Sequence, residues 1–152
     1  MFMLRKDFIK TKIELIESDL LRLAEFKDDS INDIAGDFFK LNVVERLLEK
    51  IIMRAIDINE HIIAEMGTGE EGRLDYKKTF LYLTKFSVYP EKFAERISQS
   101  AGLRNALVHD YDEIRIADVY NSIGEALAEF HKYCGYLLKF IKKQNKKTDC
   151  CG

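Results

Sequence analysis

The sequence predicts an all-α fold, a four- to five-helix up-and-down bundle built as one domain. Three observations carry this. Apolar residues recur at threes and fours over long stretches, the period of a helix with one buried face. A single proline and eight glycines leave little punctuation for the many turns of a stranded fold. A chain of 152 residues, 47% of them hydrophobic, suits one core.

The first helix is expected from about Leu4 to Phe26, its stripe made of Phe8, Ile9, Ile13, Leu15, Ile16, Leu20, Leu21 and Leu23. Lys27-Asp28-Asp29-Ser30 breaks it, and Ile31 to Lys40 is short and reads as a helical turn leading into the next element. The second helix, about Leu41 to Met66, carries the widest apolar face, from Val43, Val44, Leu47 and Leu48 through Ile62 and Ile63. Gly67 to Gly72 is a loop. Tyr76 to Val88 reads as a third helix through Phe80, Leu81, Leu83 and Phe86. Pro90 opens a fourth in the favoured first-turn position, followed at once by Glu91, and this helix runs on into the stretch around Arg104. The fifth spans about Ile116 to Ile141, with Val119, Ile123, Leu127, Phe130, Leu137, Leu138 and Phe140. The domain is therefore 1–141, and 142–152 is expected to be a disordered basic tail.

Composition excludes several classes. No stretch approaches the ~18 apolar residues of a membrane span. The first twenty residues are charged throughout, unlike a signal peptide, so the cytoplasm is the expected compartment. The net charge of −2 gives no global field for nucleic acid, which confines any RNA contact to a local patch. Three cysteines without a CxxC pair and three scattered histidines make no metal-ligand set, and no cofactor is implied. Cys134 reads as a core thiol; Cys150 and Cys151 sit on the tail.

The chemistry of the chain is concentrated between Arg104 and Tyr111, Arg-Asn-Ala-Leu-Val-His-Asp-Tyr. With about 100° per residue, Asn105 and His109 lie within about 140° of Arg104 on one side, and Tyr111 returns to within about 20° of it on the other. Leu103, Ala106, Leu107 and Ile114 take the remaining arc, with Val108 alone among the polar group. Gly102 lets another backbone or a substrate approach closely. An arginine that grips a phosphate and a histidine that moves a proton suffice for phosphodiester cleavage by the RNA's own 2′-hydroxyl without a metal. His109 is the candidate acid or base and Arg104 the candidate stabiliser of the phosphorane charge. Asn105 would hold the site or the scissile phosphate in place. Arg104 and His109 are five apart, outside ideal contact spacing. Either the helix loosens near His109, or a second copy of the chain completes the site across a two-fold axis; the second is favoured, because it gathers two arginines and two histidines.

Residues 102 to 111, Gly-Leu-Arg-Asn-Ala-Leu-Val-His-Asp-Tyr, closely resemble the core of the HepT-like toxins, HEPN-domain members of the HEPN/MNT toxin–antitoxin pairs. Asp57-Ile58-Asn59-Glu60-His61 is similar to the Asp-Ile-x-x-His element of that group, and the helix order agrees from about Leu4 to Ile141. The resemblance implies an HEPN-like helical homodimer with a composite cleft and metal-independent endoribonuclease activity on RNA, tRNA or mRNA. It also implies a partner, a minimal nucleotidyltransferase antitoxin that adds AMP units to the motif tyrosine, here Tyr111. Each AMP would set an anionic phosphate beside Arg104 and His109 and obstruct RNA. A non-catalytic helical module that binds substrate or scaffolds a nucleotidyltransferase is the alternative function.

Asp57 and His61, at i and i+4, are read in two ways. They line the cleft or orient His109, or they form a structural pair tying the second helix to the motif helix. Lys142, Lys143, Lys146 and Lys147 either touch RNA phosphates or form a solvated helix end. Tyr76, Tyr82 and Tyr89 either stack on bases or pack within the fold.

Overall fold

The first helix, α1 (Lys6–Ala24), turns Ile9, Ile13, Ile16, Leu20 and Leu23 inward at alternating steps of four and three. The computed structural model describes residues 4–109 and 116–150, with side chains through Gln144. Leu15 and Leu21, expected in the same stripe, are 40% and 75% exposed. Each lies about 100° round the helix from a buried neighbour, Ile16 or Leu20, which takes it off the contact face.

α1 packs on α3 (Phe38–Met66) and α7 (Ile116–Cys150), and these three long helices frame the core. Before α3 comes the short α2 (Ile31–Ala35), started by a capping box in which Ser30 and Asp33 satisfy each other's backbone N–H. α3 starts three residues before the expected Leu41, because Asp37 caps it by accepting from the N–H groups of Phe39 and Lys40. Val44, Leu47, Leu48, Ile51, Ile52, Ala55, Ile56, Ile58 and Ile62 are buried along it, whereas Val43 faces outward. At the α1–α3 contact the carboxylate of Asp19, 1% exposed, is held by Arg54, by Lys50 at 3.7 Å and by Arg22 at 3.4 Å. Hydrophobic periodicity gives no sign of this pair, since Asp19 occupies a core position beside Leu20.

The third helix ends early. α4 covers Tyr76–Tyr82, a single 3₁₀ turn follows at Leu83–Phe86, and Ser87 takes the left-handed conformation at φ 59°. The Thr84 hydroxyl donates to the Leu81 carbonyl at 2.8 Å, and Tyr89, buried, donates to the Phe80 carbonyl at 2.6 Å, which folds the chain back into α5.

The fourth expected helix is two. α5 (Glu91–Ser98) and α6 (Ser100–His109) meet at Gln99. There the Ser98 and Ser100 hydroxyls donate to the carbonyls of Glu95 and Ile97. The backbone N–H groups of Gln99 and Gly102 reach back three residues instead of four. Serine back-bonding and three-residue bonds tighten and bend a helix at such a point.

α7 buries Val119, Ile123, Ala126, Phe130, Tyr133, Cys134, Leu137, Phe140 and Ile141, and leaves Leu138 exposed. Burial, with Glu17 beside it, pushes the Cys134 thiol well up, so it is a core group rather than a nucleophile. The helix passes the expected end near Ile141 and continues to Cys150. Between Ile141 and Cys150 the sequence has no glycine or proline to stop it, and lysines suit a helix C-terminus. Among the described residues there is no strand, and no helix is long and apolar enough to cross a membrane.

Candidate active site

α6 is the helix of the Arg104–His109 motif, and its two sides differ as the sequence predicts. Ala101 is buried and Leu103, Ala106 and Leu107 are half-buried, whereas Asn105, Val108 and His109 are exposed. α6 packs on α3 and α4. Its helical geometry is maintained through His109, so the loosening that would bring His109 toward Arg104 within one chain does not occur up to that residue. Gly102 is exposed, and nothing among the described residues lies within 4 Å of where a Cβ would sit. No close approach among those residues requires this glycine.

Arg104 is half-buried and held from two directions. One guanidinium nitrogen donates to the Asn105 side-chain oxygen at 3.2 Å. The guanidinium carbon lies 5.0 Å from the centroid of the Tyr76 ring at the start of α4, a cation–π contact. The Nε of Arg104 is shielded from water and has no hydrogen-bond partner among the described residues. Tyr111, the remaining motif residue, lies outside the described residues.

Asp57 and His61 turn toward α1. Lys12 pairs with the Asp57 carboxylate at 3.1 Å, and the Arg5 backbone N–H donates to Nε2 of His61 at 3.1 Å. The Phe8 ring sits against His61, with ring centroids 5.1 Å apart, and beneath the Lys12 ammonium at 5.5 Å. The pair therefore ties α3 to the start of α1. Asn59, between them in sequence, faces the other way into the core and bonds Tyr133 and Thr79. Of the other tyrosines, Tyr89 is too buried to meet a base, and Tyr82 donates to Glu71 at 2.9 Å.

A groove of about 570 Å³ opens between α6 and α7, on the arc of α6 away from Arg104. Leu48, Ile52 and Phe130 floor it, and Asp118, Glu125 and Glu129 edge it, with Arg96 and Glu129 paired at 3.6 Å. Three carboxylates against one arginine would repel a phosphate backbone. Among the described residues no group of three His, Cys, Asp or Glu side chains is placed to hold a metal ion.

The chain also has named relatives. It is 33% identical to a tRNA nuclease HepT of Aphanizomenon flos-aquae over 93% of this chain and 95% of that protein. It is 25% identical to an mRNA nuclease HepT of Shewanella oneidensis over 84% and 93%. Among solved structures, the tri-AMPylated HEPN toxin of Shewanella oneidensis, determined in complex with an MNT antitoxin, superposes with a TM-score of 0.77. That match covers 88% of this chain and 98% of the toxin at 23% identity, a likeness of fold. Residues 13–137 match the family model described as ribonuclease HepT-like, and this chain belongs to that family.

Proposed function

We propose that this protein is a metal-independent endoribonuclease, the toxin of a toxin–antitoxin pair, acting in the cytoplasm as a homodimer. The observation that carries the reading is α6: it presents an arginine already held in place and an exposed histidine on one polar side. Family membership and the nuclease relatives support the same conclusion.

In the reaction proposed, the 2′-oxygen of the RNA attacks the adjacent phosphorus and the bond to the 5′-oxygen breaks. His109 of one copy takes the 2′-hydroxyl proton, and His109 of the second copy gives a proton to the leaving 5′-oxygen. The products are a 2′,3′-cyclic phosphate and a 5′-hydroxyl. Arg104 stabilises the charge gathering on the phosphorane, and Asn105 fixes the arginine's orientation through the bond already present. Asp57 and His61 support the fold beside the site through α1. The RNA is a tRNA or an mRNA, as the names of the two relatives describe.

Silencing is by a nucleotidyltransferase antitoxin of the MNT kind, as in the complex of the related toxin. The Tyr111 phenol attacks the α-phosphorus of ATP, the new phosphodiester carries AMP, pyrophosphate leaves and the phenolic proton passes to solvent. The added phosphate sits near Arg104 and competes with RNA for it.

Cleavage of total tRNA and of a generic mRNA in EDTA, with His109→Ala alongside and product ends analysed, tests the reading. Wild-type cleavage leaving cyclic phosphates, absent in the variant, is the expected result. No cleavage by protein shown by mass to be unmodified would overturn it and favour a scaffold subunit.

A further inference from the structure

We propose that Tyr76 is a positioning residue for Arg104, its ring setting the guanidinium before RNA arrives; this rests on the ribonuclease reading above. The ring lies against the guanidinium across the α4–α6 contact, 5.0 Å from centroid to Cζ. Its root is fixed. Tyr76 is the first residue of α4, and Asp75 caps that helix by accepting from the Lys78 N–H at 2.8 Å. The Tyr76 carbonyl accepts the Thr79 hydroxyl at 2.7 Å, and Thr79 in turn accepts from the Asn59 amide at 3.2 Å. Asn59 accepts the Tyr133 phenol at 2.6 Å. A buried polar chain from α7 through α3 thus ends at the residue whose ring supports Arg104.

The consequence is chemical. An arginine has many rotamers to lose on gripping a phosphate, and stacking removes much of that loss in advance. The ring engages the cation through its π face and uses none of the guanidinium's N–H donors, which remain for oxygen acceptors. With one nitrogen on Asn105 and Nε shut away from water, the orientation is set by Tyr76 and Asn105 together. The contact with Arg104 is made by the ring, and Tyr76 is anchored through its backbone carbonyl, so the ring face performs the role.

The test compares wild type with Tyr76→Phe, Tyr76→Leu, Tyr76→Met, Arg104→Ala and Tyr76→Leu/Arg104→Ala. Cleavage of one RNA oligonucleotide is measured in EDTA and melting temperatures are recorded. Phe is expected to cleave within about twofold of wild type, because it keeps the π face. Leu and Met, bulky but without that face, are expected to lose about 10- to 100-fold in kcat with KM little changed. The double variant should be no slower than Arg104→Ala. Wild-type cleavage by Leu and Met, or a double variant slowed by the full Leu factor beyond Arg104→Ala, would overturn the proposal. NMR of the same proteins gives a readout independent of cleavage. The Arg104 side-chain protons should be shifted upfield by the ring in wild type and Phe, and not in Leu. An inert wild type would defeat the ribonuclease reading, and the catalytic role of Tyr76 with it. The absence of the ring shift in an active wild type would defeat the Tyr76 proposal alone.

Discussion

The Tyr133 phenol on α7 donates to the side-chain carbonyl of Asn59 on α3 at 2.6 Å, with both residues fully shielded from water. It also reaches the Ala55 carbonyl at 3.0 Å, and Asn59 passes the connection on to Thr79 of α4. Burial pushes the phenol's pKa well up, which favours the neutral form that donates these bonds. Three helices are registered against one another by this group, whereas apolar packing alone tolerates small slips.

Tyr133→Phe should therefore destabilise the fold by about 1–3 kcal/mol, since it leaves the Asn59 oxygen buried without its donor. Urea unfolding measures it directly. A midpoint unchanged from wild type would mean that the bond contributes nothing beyond the packing of the ring.

The 67–72 loop should weaken in acid. Its own backbone N–H, the Tyr82 phenol and the amide and hydroxyl of Thr68 hold the Glu71 carboxyl at about 2, against an ordinary value of 4.5. A depressed pKa contributes stability that is complete above the unfolded value and lost as pH falls through the folded one. The loss therefore belongs between about pH 4.5 and pH 2. In NMR titrations the Gly69 amide, bonded to Glu71 at 2.9 Å, should report that low midpoint, and Glu71→Gln should abolish the transition. A Gly69 midpoint near 4.5 would show that the carboxylate is not held.

Gly102→Ala should separate stability from activity. The position is exposed in the first turn of α6, with nothing among the described residues within 4 Å of a new Cβ. Alanine should stabilise the helix by about 0.5–1 kcal/mol through backbone entropy. If this face meets RNA or a second copy closely, cleavage should fall even as the melting temperature rises. Equal or better cleavage would leave the glycine without a role in the site.

The long helices and the motif were legible because both are local in sequence. The 3.6-residue period locates α1, α3 and α7, and helix geometry over less than two turns relates Arg104, Asn105 and His109. Contacts between distant segments were not legible. Asp19 looks like a surface residue until Arg54 and Lys50 arrive from α3, and Asp57 and His61 give no sequence sign that α1 is their partner. Tyr76 had the right chemistry for a site residue, but its place under Arg104 depends on how α4 meets α6. The break at Gln99 escaped because serine–carbonyl bonds leave the apolar pattern intact across it.

A site shared between two copies would make a prediction that no single-chain site shares. Arg104 and His109 are five residues apart on a helix that stays regular to His109, so within one copy they face directions about 140° apart. If catalysis draws both groups from one copy, a mixed dimer of Arg104→Ala and His109→Ala has no intact site and should be as inactive as either homodimer. If the cleft is shared across a two-fold axis, that mixed dimer still holds one arginine and one histidine facing each other. It should then cleave RNA measurably better than both parent homodimers, at a fraction of the wild-type rate because one histidine must serve without its counterpart. Co-expression with two different affinity tags isolates the mixed species, and sequential purification removes the parents. Recovery of cleavage in the doubly tagged fraction is the expected outcome. A mixed dimer as inert as its parents would place the reaction within one chain and require α6 to change shape beyond His109 when RNA binds.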